Sequence, residues 1–448
     1  MNAHVARRSP VHRGVAAWSA ILPGQPPPVR LDGDETADFA VVGGGFAGLS
    51  AALRLTQLAP GARVAVLEAG RLAEGAAGRN SGFMIDLPHD LASDDYSGHG
   101  AGADRAIIDL NRTAIGFARA AVEQFGIDPA FFDPAGKVNG ATSEKADALN
   151  LSYARHLSEL GEASERLDAQ AMHELTGSRH YLSGLYTPGT VMLQPAGYIR
   201  SLGEGLRGAG VAVYEQGPVA RIDRQGGGWA LRTPAGTISA GKAILANNGH
   251  LESFGFARGR LMHIFLYASM SVDLGPEALK ALGGAPRWGI TPSDPMGTTM
   301  RRIDTAQGGN RIVTRTCAGF RPDMEASAAA NARAARVHMR KFEERFPMLA
   351  GTKMEYSWAG HLCLSRNGVS VMRELEPGLY AACVQNGLGT ARGTLTGMGA
   401  AELACGVTTD ITRHFTAEAE PARLPPRPFS TIGANAFLRW KEWRAGAE

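Results

Sequence analysis

Ala37-Asp38-Phe39-Ala40-Val41-Val42-Gly43-Gly44-Gly45-Phe46-Ala47-Gly48 decides the fold of this chain. An apolar strand, Phe39 to Val42, runs into a Gly-x-Gly-x-x-Gly turn, and a helix-forming stretch from Leu49 to Leu58 follows. A second strand, Ala62 to Leu67, ends on the acid Glu68. Each glycine has its own task in a dinucleotide-binding βαβ unit. Gly43 makes the tight turn, Gly45 lets the backbone approach a pyrophosphate, and Gly48 lets helix and strand pack closely. Phe46 and Ala47 start the helix, where free N–H groups face phosphate charge. Glu68, with Ala69 beside it, stands where an acid takes ribose hydroxyls. Among 57 glycines such a turn alone means little, but here strand, turn, helix, strand and terminal acid agree.

The whole chain sets the frame around this unit. Its 448 residues allow two domains or one large composite. A net charge of +3, with the basic residues scattered, argues against nucleic acid as a partner. Cys317, Cys363, Cys383 and Cys405 lie far apart with no Cys-x-x-Cys pair. That fits a reducing, cytoplasmic setting without a disulfide framework. The histidines show no ligand spacing, so no metal is expected. No apolar run approaches the ~18 residues of a membrane helix. Arg7-Arg8 ahead of Val15 to Leu22 faintly resembles a twin-arginine signal. The apolar part is short, however, and Pro23-Gly24-Gln25-Pro26-Pro27-Pro28 stands where a cleavage site belongs. Residues 1–35 read as an uncleaved arm lying on the surface.

Apolar residues at three- and four-residue steps predict helices over 107–125 and 146–160, with a short strand over 136–142 between them. Strands are expected at 211–214, 219–222, 229–233, 237–240, 243–246, 262–273, 310–316 and 378–385. Helices are expected over 327–346 and from Gly387 onward. Pro234-Ala235-Gly236 reads as a hairpin turn. The order suggests an α/β composite. Segments 36–85, 193–251 and 355–405 form a discontinuous dinucleotide domain. Segments 86–192 and 252–354 form an inserted, mixed or antiparallel substrate domain, and 406–448 a tail with a terminal helix.

Two further glycine-rich loops carry chemistry. Glu74 to Phe83 follows the second strand and supplies Arg79, Asn80, Ser81 and Gly82. Such a loop can hug a bulky cofactor while Arg79 offsets pyrophosphate or reduced-flavin charge. A surface loop around an arginine salt bridge reads equally well. Asn386 to Thr394 follows the strand 379–384. No acid-terminated strand follows it, which argues against a second nucleotide site. A helix N-terminus aimed at a ring that becomes negative on reduction is the better use.

The stretches GGGFAGLS, AAGRNSGF, LQPAGY, VAVYEQGPVARI, AILANNGH, WAGHLCLSRNG and NGLGTARGTLTGMGAAELACG, with Glu68, resemble the D-amino-acid oxidase type of FAD-dependent oxidoreductase. The likeness covers residues 36–405 and is nearest to the γ-glutamylputrescine oxidase, sarcosine oxidase and glycine oxidase branch. It implies a glutathione-reductase-like, Rossmann-type FAD domain with extended FAD. Gly43, Gly45 and Gly48 would hold the pyrophosphate and Glu68 the ribose. Arg79, Asn80, Ser81 and Gly82 would line the flavin, Val219 would meet adenine, and Asn386, Gly387, Gly389 and Thr390 would face the pyrimidine edge. The sarcosine oxidase cysteine aligns near Gly360, not Cys363, so non-covalent FAD is expected. The implied chemistry is oxidation of a C–N bond in a small amine or amino acid. Hydride passes to flavin N5, an imine forms and hydrolyses, and oxygen or another acceptor takes the electrons.

Substrate contacts are less legible. His250 could sit by the amine or be structural. Tyr267 stands on a candidate pocket strand, where aromatic core packing is the commoner role. Arg301 or Arg302 could clamp a carboxylate, or be exposed. His361 lies near the expected flavin face. Two other classes compete: an NAD(P)-linked flavin reductase, and a non-catalytic or membrane-associated FAD-binding protein. The stretch Phe437 to Arg444 could form an interfacial helix or pack back on the body.

Overall fold

A computed structural model describes residues 3–88, 101–294, 296–446 and 448; part of the expected 86–192 segment thus lies outside the described residues. The nucleus is five parallel strands in the order Leu379–Cys383, Gly236–Leu245, Glu35–Val42, Val64–Leu67 and Ala212–Tyr214. Alternation divides their side chains. Val41, Val66 and Ile244 pack with residues of the helices Phe46–Leu58, Pro195–Gly208 and Ala391–Ala404. Ala40, Val42, Ala65 and Leu245 pack on the other side with Leu231, Leu251 and Phe254. Both faces are buried, which explains the uniformly apolar strands.

Gly236–Leu245 joins two stretches that the sequence presents separately. Its first half pairs antiparallel with Gly228–Thr233, closing the hairpin. Its last residues pair parallel with Leu379–Cys383. One strand therefore changes neighbours midway, and the parallel sheet continues into an antiparallel ribbon.

An eight-stranded sheet stands against this body. Its order is Met354–Ser365, Leu261–Ser271, Arg311–Phe320, Thr299–Ile303, Trp288–Pro292, Lys137–Ala141, Ser183–Thr187 and Glu165–Asp168. Only Trp288–Pro292 and Lys137–Ala141 run parallel. Residues 355–405 contribute to both sheets, through Met354–Ser365 here and Leu379–Cys383 in the parallel sheet. A β-bulge interrupts the pairing of Leu261–Ser271 with Arg311–Phe320. Leu266 pairs with Ala318 and Tyr267 with Thr316, leaving Cys317 as the extra residue at φ +66°.

Residues 3–22 differ from a surface arm. Ala3–Val5 extends the first sheet by pairing with Arg221–Gln225. Ala17 and Trp18 are fully buried in the main core. The Trp18 indole N–H donates to the Asn80 carbonyl at 2.8 Å. A tryptophan can bury this deeply because the loop supplies an acceptor for its one polar atom.

Candidate functional site

The C-terminal ends of the parallel strands build the first half of the site. Gly43 has φ +108°, which an L side chain rarely adopts. A Cβ at Gly48 would stand 1.8 Å from the Gly43 carbonyl oxygen, so only glycine lets the helix start this close. A Cβ at Gly45 would lie in the mouth of the turn, 3.5 Å from the Ala77 Cβ. Neither helix Phe46–Leu58 nor Ala391–Ala404 has a side-chain cap. Their starts lie together: a Cβ at Gly393 would be 3.2 Å from the Phe46 Cβ, and one at Gly397 would be 2.1 Å from the Ala47 carbonyl. Two sets of uncapped N–H groups thus meet at one edge, suited to an anionic ligand.

Glu68 closes this end. Its carboxylate accepts the Gly44 N–H at 2.7 Å and the Gly70 N–H at 3.0 Å. Burial pushes its pKa up, against those two N–H groups. Ala69 is exposed beside it, and Val219 is buried in the neighbouring connection.

The two other glycine loops meet at a cavity of about 110 Å³. Asn80, Ser81 and Gly82 line one side, and Gly387, Gly389 and Thr390 another. The Thr390 hydroxyl donates to the Phe83 carbonyl at 2.7 Å, tying the loops together. Asn386 braces its loop from outside, accepting the Ser365 N–H at 2.8 Å and donating to the Gly368 and Val369 carbonyls. Val384 and Asn386 have φ +64° and +48°, a strained approach for non-glycine residues. Asn248 holds it, accepting the Val384 N–H at 3.1 Å.

The third wall is the eight-stranded sheet, through Leu266, Thr291, Thr299, Arg315 and Leu362. Arg315 was not singled out in the sequence. It pairs across from Thr299 and points into the cavity. Among the described residues no hydrogen bond or ion pair reaches its guanidinium. Burial lowers its pKa to about 10, opposed in part by the Cys317 thiol, and no carboxylate acts on it. Behind the wall lies Lys137, equally unforeseen. It donates to Asn139 and, at 3.1 Å, to the Thr291 hydroxyl, and burial lowers its pKa to about 8. A charged residue inside a strand was the signal available for both.

The other candidates lie elsewhere. Arg301 occupies the same face as Thr299, one pleat on, but is consumed by backbone. It donates to the Ser81, Gly82 and Leu193 carbonyls and, at 3.2 Å, to the Gln307 side chain, over the Trp18 ring. Burial lowers its pKa to about 9. A Cβ at Gly82 would collide with this guanidinium at 2.0 Å. Arg302 points the other way and donates to the Gly283 carbonyl. Arg79 turns from the cavity, donating to the Glu74, Arg13, Gly14 and Ala359 carbonyls. His361 and Tyr267 face the far side of the sheet. Burial holds the His361 pKa well below its ordinary value, and its Nε2 lies 3.1 Å from His263 Nδ1. Tyr267 packs with Phe265, Cys317 and Ala334. His250 donates from Nε2 to the Arg8 carbonyl at 2.5 Å, and burial lowers its pKa. None of these six lines the cavity.

Known proteins share this fold. The model of the FAD dependent oxidoreductase family DAO matches residues 38–403. The chain is 27% identical over 416 residues to a probable oxidoreductase, OrdL, of Rhizobium meliloti (strain 1021), covering 90% of this chain and 91% of that protein. It is 25% identical over 390 residues to the gamma-glutamylputrescine oxidoreductase of Escherichia coli (strain K12), covering 82% and 83%. In fold it is similar to glycine oxidase from Geobacillus kaustophilus, with a TM-score of 0.69, 20% identity, and 87% of this chain and 100% of that one covered. The glycine cradle, the half-buried acid and the two uncapped helices fit the cofactor that the family name states. The chain belongs to the DAO family of FAD dependent oxidoreductases and is an enzyme of that family, with its Rossmann-type FAD-binding fold.

Proposed function

We propose that this enzyme oxidises the C–N bond of a small amine that also carries a carboxylate, which Arg315 holds in the cavity. The observation that carries this reading is the half-buried guanidinium, which no described carboxylate offsets, beside the two glycine loops. A partly desolvated cation without a carboxylate partner is costly, and an anionic ligand offsets that cost. Relatives named for γ-glutamylputrescine and glycine support the amine.

The same reading gives the cofactor residues their roles. Gly43, Gly45, Gly48, Phe46 and Ala47 hold the pyrophosphate, Glu68 and Ala69 the ribose, and Val219 the adenine. Asn80, Ser81 and Gly82 line the ring, with Gly387, Gly389 and Thr390 at its pyrimidine edge and Asn386 bracing them. The positive end of helix Ala391–Ala404 favours the negative charge that arrives on reduction. Arg79 and Arg301 fix the loop rather than touch the ligand. Bound FAD supplies a two-electron oxidant, and the resulting imine is hydrolysed by water. The binding is non-covalent: the cavity lining contains neither cysteine nor histidine, which supports this. Oxygen or another acceptor then takes the electrons.

The test is anaerobic mixing of the yellow protein with paired amines, each an amino acid and its decarboxylated counterpart. Bleaching by the carboxylate-bearing members is expected, and readmitted air reports the acceptor by the speed of recolouring. If the decarboxylated amines bleach equally well, or no amine bleaches at all, the reading fails.

A further inference from the structure

Lys137 brings a charge into the buried strand Lys137–Ala141, next to the cavity. This strand pairs in parallel with Trp288–Pro292, and Asn139 stands opposite Thr291. Lys137, two residues before Asn139, shares its face of the sheet. All three side chains are buried, Lys137 to 4% exposure and Asn139 to 1%. Lys137 Nζ donates to Asn139 Oδ1 and, at 3.1 Å, to Thr291 Oγ1. Thr291 in turn donates to Asn139 Oδ1 at 2.7 Å. Asp86 is the acid whose charge acts on this ammonium, and Arg112 already holds Asp86 at 3.1 Å.

These bonds fix their own direction. An ammonium has three donors and no acceptor, so Thr291 must accept from Lys137. Burial lowers the Lys137 pKa only to about 8, and the ammonium persists at neutral pH. The Asn139 atom that faces both groups receives from both, so it is the carbonyl oxygen. The Thr291 proton is therefore committed to Asn139, and one of its two lone pairs to Lys137. What remains is one lone pair, on a side chain that lines the cavity. Thr291 thus meets the cavity as an acceptor. Arg315 stands two strands away, opposite Thr299, and can only donate. The wall has two poles. A carboxylate oxygen finds no proton at Thr291, and an amine finds no acceptor at Arg315.

We propose that Thr291 receives an N–H of the substrate amine, and that Lys137 is the positioning residue that keeps the Thr291 hydroxyl turned to do so. The proposal rests on the amine reading above and extends it. Arg315 selects one end of the ligand by charge, and Thr291 selects the other by its hydrogen. Lys137 itself touches no ligand. It acts through the hydroxyl, by leaving it no proton to offer.

The test compares ligands of the holoprotein that differ at the N–H. Glycine, alanine and N-methylglycine are set against acetate, propanoate and methoxyacetate, which keep the carboxylate and carry no N–H. Anaerobic bleaching at low concentration gives a second-order rate constant for each amine, and the change in the flavin spectrum gives the Kd of each acid. In T291V the bleaching constant is expected to fall at least ~10-fold, with the acid Kd within ~2-fold of wild type and flavin content unchanged. T291S keeps the hydroxyl and should recover most of the rate. K137M should show the same split, with a loss of ~3-fold or more on the amines alone. R315A should weaken both classes, and an R315A that weakens neither removes the carboxylate reading alone. T291V or K137M bleached at the wild-type rate overturns the present proposal and leaves Arg315 untouched. Equal losses on amines and acids in T291V make Thr291 structural and overturn it too. If no amine bleaches the wild-type flavin, both readings fall together.

Discussion

The cofactor end of the parallel sheet and the cavity wall on the large sheet are built from opposite kinds of sequence. In the first, residues that act together are neighbours in the chain: Gly43, Gly45 and Gly48 in one turn, with Glu68 one helix later. In the second, Leu266, Thr291, Thr299, Arg315 and Leu362 come from five strands, brought together by pairing alone. Backbone shape sets the first, so glycine dominates it. Side-chain direction sets the second, so a single pleat changes a role. Arg301 and Arg315 show this: neighbours on one face, one held by carbonyls and the other, among the described residues, reached by no hydrogen bond or ion pair.

The strongest challenge to this contrast is Gly48→Ala. Its Cβ would stand 1.8 Å from the Gly43 carbonyl, backbone against backbone. We expect a cost of at least ~2 kcal/mol and loss of copurifying flavin. Flavin content per chain and thermal unfolding measure it; a fully yellow variant would remove the geometric basis of the turn.

On the wall, Arg315→Ala should lower kcat/KM for a carboxylate-bearing amine by a factor corresponding to roughly 2–5 kcal/mol. Yellow colour and turnover of any neutral amine should be spared. An equal loss on both amines would place Arg315 in structure rather than recognition. Arg301→Met should do the reverse. It leaves buried carbonyls short of a donor and should cost ~1–3 kcal/mol of stability, releasing flavin at lower temperature. Arg315→Met, which removes an uncompensated cation, should leave stability unchanged or raised. If both methionine variants melt alike, the distinction between the two arginines collapses.

The smallest effect at neutral pH concerns the back of the wall. Burial lowers the His12 pKa from 6.5 to about 3. The unfolded chain therefore binds more protons than the folded one between those values. Stability is full above about 6.5 and is lost as pH falls towards about 3, by up to ~1.4 kcal/mol per pH unit for one histidine. His12→Asn should flatten this slope by about one proton and leave kcat/KM at neutral pH alone. Unfolding midpoints at several pH values decide it, and an unchanged slope counts against burial of this group.

The sequence made the cofactor end readable because each requirement there is local: a positive φ, a close approach, an acid at a strand end. The parallel strands were legible for the same reason, being apolar throughout. The wall was not. Alternation in Arg311–Phe320 is broken by Cys317, and no residue type announces that bulge. His361 looks well placed in sequence, yet its partner Phe265 belongs to the face turned from the cavity. The polar, proline-rich first residues conceal Trp18, whose burial depends on a carbonyl supplied by residue 80.

Trp18 and Trp358 donate their indole N–H groups to consecutive carbonyls, those of Asn80 and Arg79, at 2.8 and 3.0 Å. The two clamps on this loop thus come from segments 340 residues apart in the chain. Synthesis delivers them at different times, and folding on the ribosome starts from the N-terminus. The first clamp can close early; the second waits for strand Met354–Ser365 to emerge. Flavin is therefore expected to be retained only once strand Met354–Ser365 has joined the fold, rather than by the nascent βαβ unit. Ribosome-bound chains that stop short of Trp358 should emerge colourless, and those that include Leu379–Cys383 and the following helix should retain the yellow cofactor.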